Sequence, residues 1–82
     1  MEKITTVGVD LAKSVFTVHG VDAAGSTVLR KTVRREKLLE LIVSLPPCLI
    51  GIEACASAHE WARRFIAHGH RVGIMMARFV KP

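Results

Sequence analysis

Cys48-Leu49-Ile50-Gly51-Ile52-Glu53 decides how this chain folds. The run is apolar up to its last residue and follows Pro46-Pro47, so it reads as a short strand buried on both faces. Before it, Leu38, Leu39, Leu41, Ile42 and Leu45 recur at helical spacing until the two prolines stop them. After it, from about Ser57 to His68, the spacing is helical again, with Trp61, Phe65 and Ala58 or Ala62 on one stripe. Ser57 with Glu60 has the spacing of a capping box, and Gly69 suits the helix end. A strand held between two helices joins its sheet through crossovers and runs parallel to its neighbours.

Working outward, Ile4–Asp10 is an apolar, β-branched run interrupted by Gly8, and predicts a first strand. Ser14–Gly20 alternates, with Val15, Thr17 and His19 facing one way and Phe16 and Val18 the other. Asp22, Gly25 and Ser26 supply turn chemistry within Val21–Ser26. Thr27–Val33 is more polar and reads as an edge strand, and Arg71–Met75 as a fifth strand. The order is strand, strand, strand, helix, strand, helix, strand. Right-handed crossovers then place the fourth strand beside the first and the fifth beside the fourth. The expected fold is α/β: a mixed five-stranded sheet whose first three strands form an antiparallel meander, the layout of the ribonuclease H-like fold.

Two of the apolar runs end on an acid, Ile4–Val9 on Asp10 and Cys48–Ile52 on Glu53. In a strand buried on both faces a carboxylate is costly unless a cation meets it. Parallel pairing brings both acids to the same end of neighbouring strands, about 4.8 Å apart. Two like charges that close repel unless an ion intervenes. Oxygen-only donors with room for water and phosphate oxygens suit Mg²⁺ or Mn²⁺, ions that activate the attacking oxygen and stabilise the leaving one in phosphodiester chemistry. Asp10 and Glu53 are therefore candidate metal ligands. The plain alternative is that Asp10 caps a turn and Glu53 pairs with an arginine.

The 82 residues suffice for one small domain. A hydrophobic content of 50% argues for a real core rather than disorder. The formal charge of +5 suits a polyanionic partner. Arg30, Lys31, Arg34, Arg35 and Lys37 form one basic group; Arg63 and Arg64 form another on the second predicted helix. Each can neutralise phosphate or simply face solvent. Lys13, in the turn after Asp10, is placed either to touch a scissile phosphate or to be an ordinary turn residue. Met1-Glu2-Lys3 leads straight into a strand pattern, so no secretory leader is expected. No apolar stretch approaches the ~20 residues of a membrane span. Two cysteines in that setting read as reduced thiols of the cytosol.

Cys48, Cys55, His59, His68 and His70 match no zinc-finger spacing, and Cys48 lies inside an apolar run where a buried thiol is routine. Cys55 with His59 is a weak signal for a cysteine nucleophile. Trp61 and Phe65 at helical spacing predict core rather than base stacking. No GxxxxGK loop is present to cradle a nucleotide phosphate.

Three stretches carry a family resemblance: VGVDLAKSVFTVHGVD, LPPCLIGIEACASAHEWAR and GHRVGIMMARFVKP. Together they resemble the amino-terminal part of the DEDD insertion-sequence transposases, the group related to the Piv and MooV DNA invertases, some of which are guided by a bridge RNA. The resemblance implies a RuvC-like domain binding Mg²⁺ through an Asp-Glu-Asp-Asp tetrad, with Asp10 matching the first catalytic acid and Glu53 the second. In that family the third and fourth acids follow the Val80-Lys81-Pro82 stretch, in a further helix, and a later domain carries a serine nucleophile. Residues 1–82 then correspond to an amino-terminal portion, expected to bind metal weakly and to be inactive alone. Without the covering helix, Met75, Met76, Phe79 and Val80 are expected to lie exposed and to promote self-association. The implied partners are DNA through Lys13, Arg34, Arg35, Arg63 and Arg64, with a guide RNA in some members. A homo-oligomer is implied for the full-length protein, in the bacterial cytoplasm and away from membranes.

Two other readings stay open on the residues alone. An actin-like or sugar-kinase ATPase lobe shares the sheet order, although Leu11-Ala12-Lys13 lacks the glycine its phosphate turn favours. A non-catalytic nucleic-acid-binding module with a structural acid pair is the other.

Overall fold

The computed structural model describes residues 3–11 and 14–75. In chain order the elements are β1 (Thr6–Leu11), β2 (Val15–Val21), β3 (Thr27–Arg34), α1 (Arg35–Val43), β4 (Leu49–Glu53), α2 (Ala58–Ala67) and β5 (Arg71–Met75). They form one sheet in the order β3-β2-β1-β4-β5. β1–β2 and β2–β3 are antiparallel, and β1–β4 and β4–β5 are parallel, as the crossover argument requires. β3 lies at one edge.

Both crossovers move across the sheet in the same direction, so their common right-handedness places α1 and α2 on the same face. The strands respond with strict alternation. Val7 and Val9 are buried, whereas Thr6, Gly8 and Asp10 are exposed; on β4, Ile50 and Ile52 are fully buried while Leu49 is exposed. From β2, Phe16 and Val18 join the same core, and the helices contribute Leu38, Ile42, Ala58, Trp61, Ala62 and Phe65. Trp61 ties the layers together: it meets Phe16 edge-on and Phe65 at a tilt, each with ring centroids 5.7 Å apart.

One expectation is corrected here. The runs ending at Asp10 and Glu53 are not buried on both faces; they are one-sided strands. An unbroken apolar run suggests two covers, but Thr6, Gly8, Leu49 and Gly51 occupy the uncovered side. Asp10 is accordingly exposed and Glu53 half-buried, so their tolerance does not depend on a buried partner.

The capping box is a second correction. Ser57 is the N-cap of α2 but makes no side-chain cap hydrogen bond, because its φ and ψ of −101° and 3° lie outside the extended region where the cap bond forms. Glu60 instead accepts from Arg64 at 2.9 Å. Gly69 does close the helix, at φ 93°, a left-handed conformation that favours glycine. The turn after β2 is built by Asp22, whose Oδ1 accepts the backbone N–H groups of Ala24 and Ser26, both at 3.0 Å.

Candidate metal centre on the uncovered face

Asp10 and Glu53 come together. The parallel register runs Thr6↔Leu49, Val7↔Ile50, Gly8↔Gly51, Val9↔Ile52, so the two acids occupy the next step, side by side at the carboxyl ends of β1 and β4. Alternation points both to the uncovered face. They line one cavity of about 400 Å³, shared with Gly8, Thr17, His19 and Gly51. Among the described residues neither acid forms an ion pair or a side-chain hydrogen bond. Glu53 is therefore not paired with an arginine among the described residues; the turn that Asp10 would cap lies outside them.

Thr17 and His19 enter the site unannounced by motif. Hairpin pairing sets Asp10 opposite Thr17 and Gly8 opposite His19. The signal was the alternation of Ser14–Gly20 combined with the short β1–β2 connection, which fixes that register.

The basic residues divide. Arg34 closes β3 and Arg35 opens α1; with Ser14, Val15 and Glu36 they line a second cavity of about 510 Å³. Arg35 also lies 5.9 Å from the Phe16 ring centroid. Arg63 and Arg64 sit on α2, in the layer across the sheet from the acids. Arg64 is engaged there by Glu60 at 2.9 Å and stands 5.1 Å from the Trp61 ring centroid. The structure therefore does not gather Arg34, Arg35, Arg63 and Arg64 around Asp10 and Glu53. Lys13 lies outside the described residues, as do Met76, Phe79 and Val80; Met75 is 41% exposed.

The cysteines and histidines are used elsewhere. No group of three or more metal-ligating side chains occurs among the described residues. His70 is buried at the opposite end of the sheet. Its Nε2–H donates to the Ile42 carbonyl at 2.9 Å, and its Nδ1 accepts the Cys48 backbone N–H at 3.3 Å. These partners require the neutral ring, protonated at Nε2. Cys48 Sγ lies 3.6 Å from the same Nδ1. Burial pushes the Cys48 thiol up from its ordinary range, with the Arg71 charge partly offsetting it. His70 thereby pins the end of α1 to the start of β4, a packing role the sequence did not announce.

No protein-family model matches the chain. An α/β domain with two acids at neighbouring strand ends nonetheless has clear relatives. The chain is 46% identical over 79 residues to a Pseudomonas aeruginosa protein named "Probable family 20 transposase", covering 96% of this chain and 23% of that one. It is 38% identical over all 82 residues to the transposase for insertion sequence element IS1328 of Yersinia enterocolitica, covering 25% of it. It is 33% identical, again over its full length, to the transposase for insertion sequence element IS1111A of Coxiella burnetii, covering 22%. The chain is thus related from end to end to transposases of bacterial insertion sequences, and spans about a fifth to a quarter of the length of the curated relatives it matches. No helix among the described residues is long and apolar enough to cross a membrane.

Proposed function

We propose that this chain is the amino-terminal portion of a ribonuclease H-like, RuvC-type DNA transposase of the DEDD class, and that Asp10 and Glu53 hold Mg²⁺ or Mn²⁺. One observation carries the proposal: two carboxylates, each one residue beyond the paired Val9 and Ile52 of adjacent parallel strands, line one cavity on an uncovered face, and neither forms an ion pair among the described residues. The donor set fits the ion. It is all oxygen, it is open to water and phosphate, and its two charges gain from a shared divalent cation. Such an ion, when bound, activates the attacking oxygen and stabilises the leaving oxygen of a phosphodiester. The protein's own contribution is to fix the two carboxylates on rigid strand ends and to leave the sheet above them open to a DNA strand.

Two ligands make half a site. The remaining acids are assigned to sequence beyond these 82 residues, in keeping with the greater length of the relatives. The chain alone therefore binds metal weakly and does not cleave DNA. DNA is the polyanion that the +5 charge serves, and the bacterial cytoplasm is where that substrate lies. A guide RNA and a homo-oligomer of the full-length transposase belong to the same proposal.

The test is Mn²⁺ titration followed by NMR. Broadening confined to Asp10, Glu53 and their neighbours, abolished by Asp10→Asn and by Glu53→Gln, is the expected result. Broadening centred elsewhere, or unchanged in both variants, refutes the site. A DNA-nicking assay with Mg²⁺ completes the test: robust cleavage by the chain itself, lost in Asp10→Asn, would overturn the claim that it is inactive.

A further inference from the structure

The uncovered face carries a second set of groups that the acid pair does not use. Arg30 faces His19 across β2–β3, and His19 faces Gly8 across β1–β2, so the three stand in one cross-strand row. The row continues through Gly51 and Gly73. It lies two residues, on the order of 7 Å, from the row of Thr32, Thr17, Asp10 and Glu53. That step is comparable to the separation of successive phosphates along an extended nucleic-acid strand. His19 and Arg30 are exposed, and among the described residues neither makes an ion pair or a side-chain hydrogen bond. His19 lines the same cavity as the two acids.

We propose that Arg30 and His19 are phosphate contacts, seating the DNA backbone one nucleotide away from the phosphate at Asp10 and Glu53. The inference rests on the metal-site proposal and adds the path of the strand across the sheet. Charge complementarity selects the occupant. Arg30 and Arg34 share this side of β3, giving the face a cationic edge two strands away from Asp10. Between them the floor is Thr17, Gly8 and Gly51, with the Met75 side chain over Gly51 at its far margin. The guanidinium supplies charge and paired donors to a phosphate, and the imidazole N–H supplies a single donor.

The glycines give the proposal a clean probe. A Cβ at Gly8 would meet nothing within 4 Å, and Gly8 has no positive φ. The fold does not require glycine there, and a β-branched residue favours the strand. Gly8→Val should therefore keep or raise the melting temperature while standing in the way of a backbone lying on the sheet.

The experiment is fluorescence anisotropy of a short labelled single-stranded DNA with this chain in Mg²⁺, repeated over a salt series. Arg30→Ala should weaken binding on the order of tenfold and lower the salt slope by about 1. His19→Ala and Gly8→Val should weaken it without lowering the melting temperature. Lys31→Ala removes the same charge from the neighbouring position on the opposite side of β3, where Lys31 pairs with Val18, and should cost less than Arg30→Ala. Equal losses for Lys31→Ala and Arg30→Ala would show generic attraction and overturn the proposal. So would undiminished binding in Arg30→Ala, His19→Ala and Gly8→Val, or no binding by the unaltered chain at low salt. Mn²⁺ broadening at Asp10 is read in parallel in every variant. If it persists while these DNA effects are absent, the strand path fails and the metal site stands; if it is absent from the unaltered chain, the metal site itself has failed.

Discussion

The two faces of the sheet differ in how their groups are satisfied. Against the helices, Phe16, Ile50, Ile52, Leu38, Ile42 and Phe65 are buried almost completely, and no buried side-chain polar atom lacks a partner among the described residues. On the other side stand two carboxylates, His19 and Arg30, none paired with another described side chain, over a floor of glycine and threonine bordered by Met75. Stability is concentrated on the first face. Groups still lacking partners are concentrated on the second, and such groups are what a ligand can use.

The sharpest way to break that contrast is Phe65→Ala on the packed side. Phe65 is fully buried beneath Trp61, and emptying its site should cost about 3–5 kcal/mol, a large share of what a domain this small possesses. Urea denaturation followed by circular dichroism measures it; a loss below 1 kcal/mol would mean the helix face is not where stability lies. His70→Leu comes next. It leaves the Ile42 carbonyl and the Cys48 N–H without their partner, an expected cost of about 1–3 kcal/mol in the same assay.

Cys48 sharpens the comparison through pH. Its folded-state pKa is raised, so its contribution is fully present below the thiol's unfolded pKa. That contribution is lost as pH climbs through the folded value, because the unfolded chain releases the proton more readily. Stability should fall on the alkaline side, and Cys48→Ala should flatten the decline. In the native chain at neutral pH a maleimide should label exposed Cys55 and spare buried Cys48; two fast labelling events would contradict the packing described. The smallest effect belongs to the open face: Asp10→Asn and Glu53→Gln should each change stability by no more than about 0.5 kcal/mol. A larger loss would show that the acids serve the fold.

Much of the architecture was legible because a strand between two helices, Cys48–Glu53, admits few topologies. Crossover handedness then gave the strand order and the meeting of Asp10 with Glu53. The same rule, carried one step further, puts both helices on one face, which the apolar run from Cys48 to Ile52 conceals. Ser57 and Glu60 had capping spacing, but spacing does not report φ and ψ, and Glu60 turned to Arg64 one helical turn away. Arg64 likewise looked available by charge alone, whereas the Glu60–Arg64 spacing marks an i,i+4 pair. His19 was assigned to the correct side of its strand, yet its place beside the acids depends on hairpin register. The pinning role of His70 depends on a contact with Ile42, distant in sequence.

Asp10 arrives on a hairpin of local contacts, whereas Glu53 arrives only after the chain has crossed over β2 and β1. The two carboxylates thus become neighbours only where β4 pairs with the central strand β1, across the stretch of chain from Asp10 to Glu53. If the proposed cation bridges them, it binds the folded domain and not the unfolded chain, so by mass action it should raise the melting temperature with its own concentration. Under the proposed metal site, metal availability and the folded population of this chain would be linked through that pairing of β4 with β1.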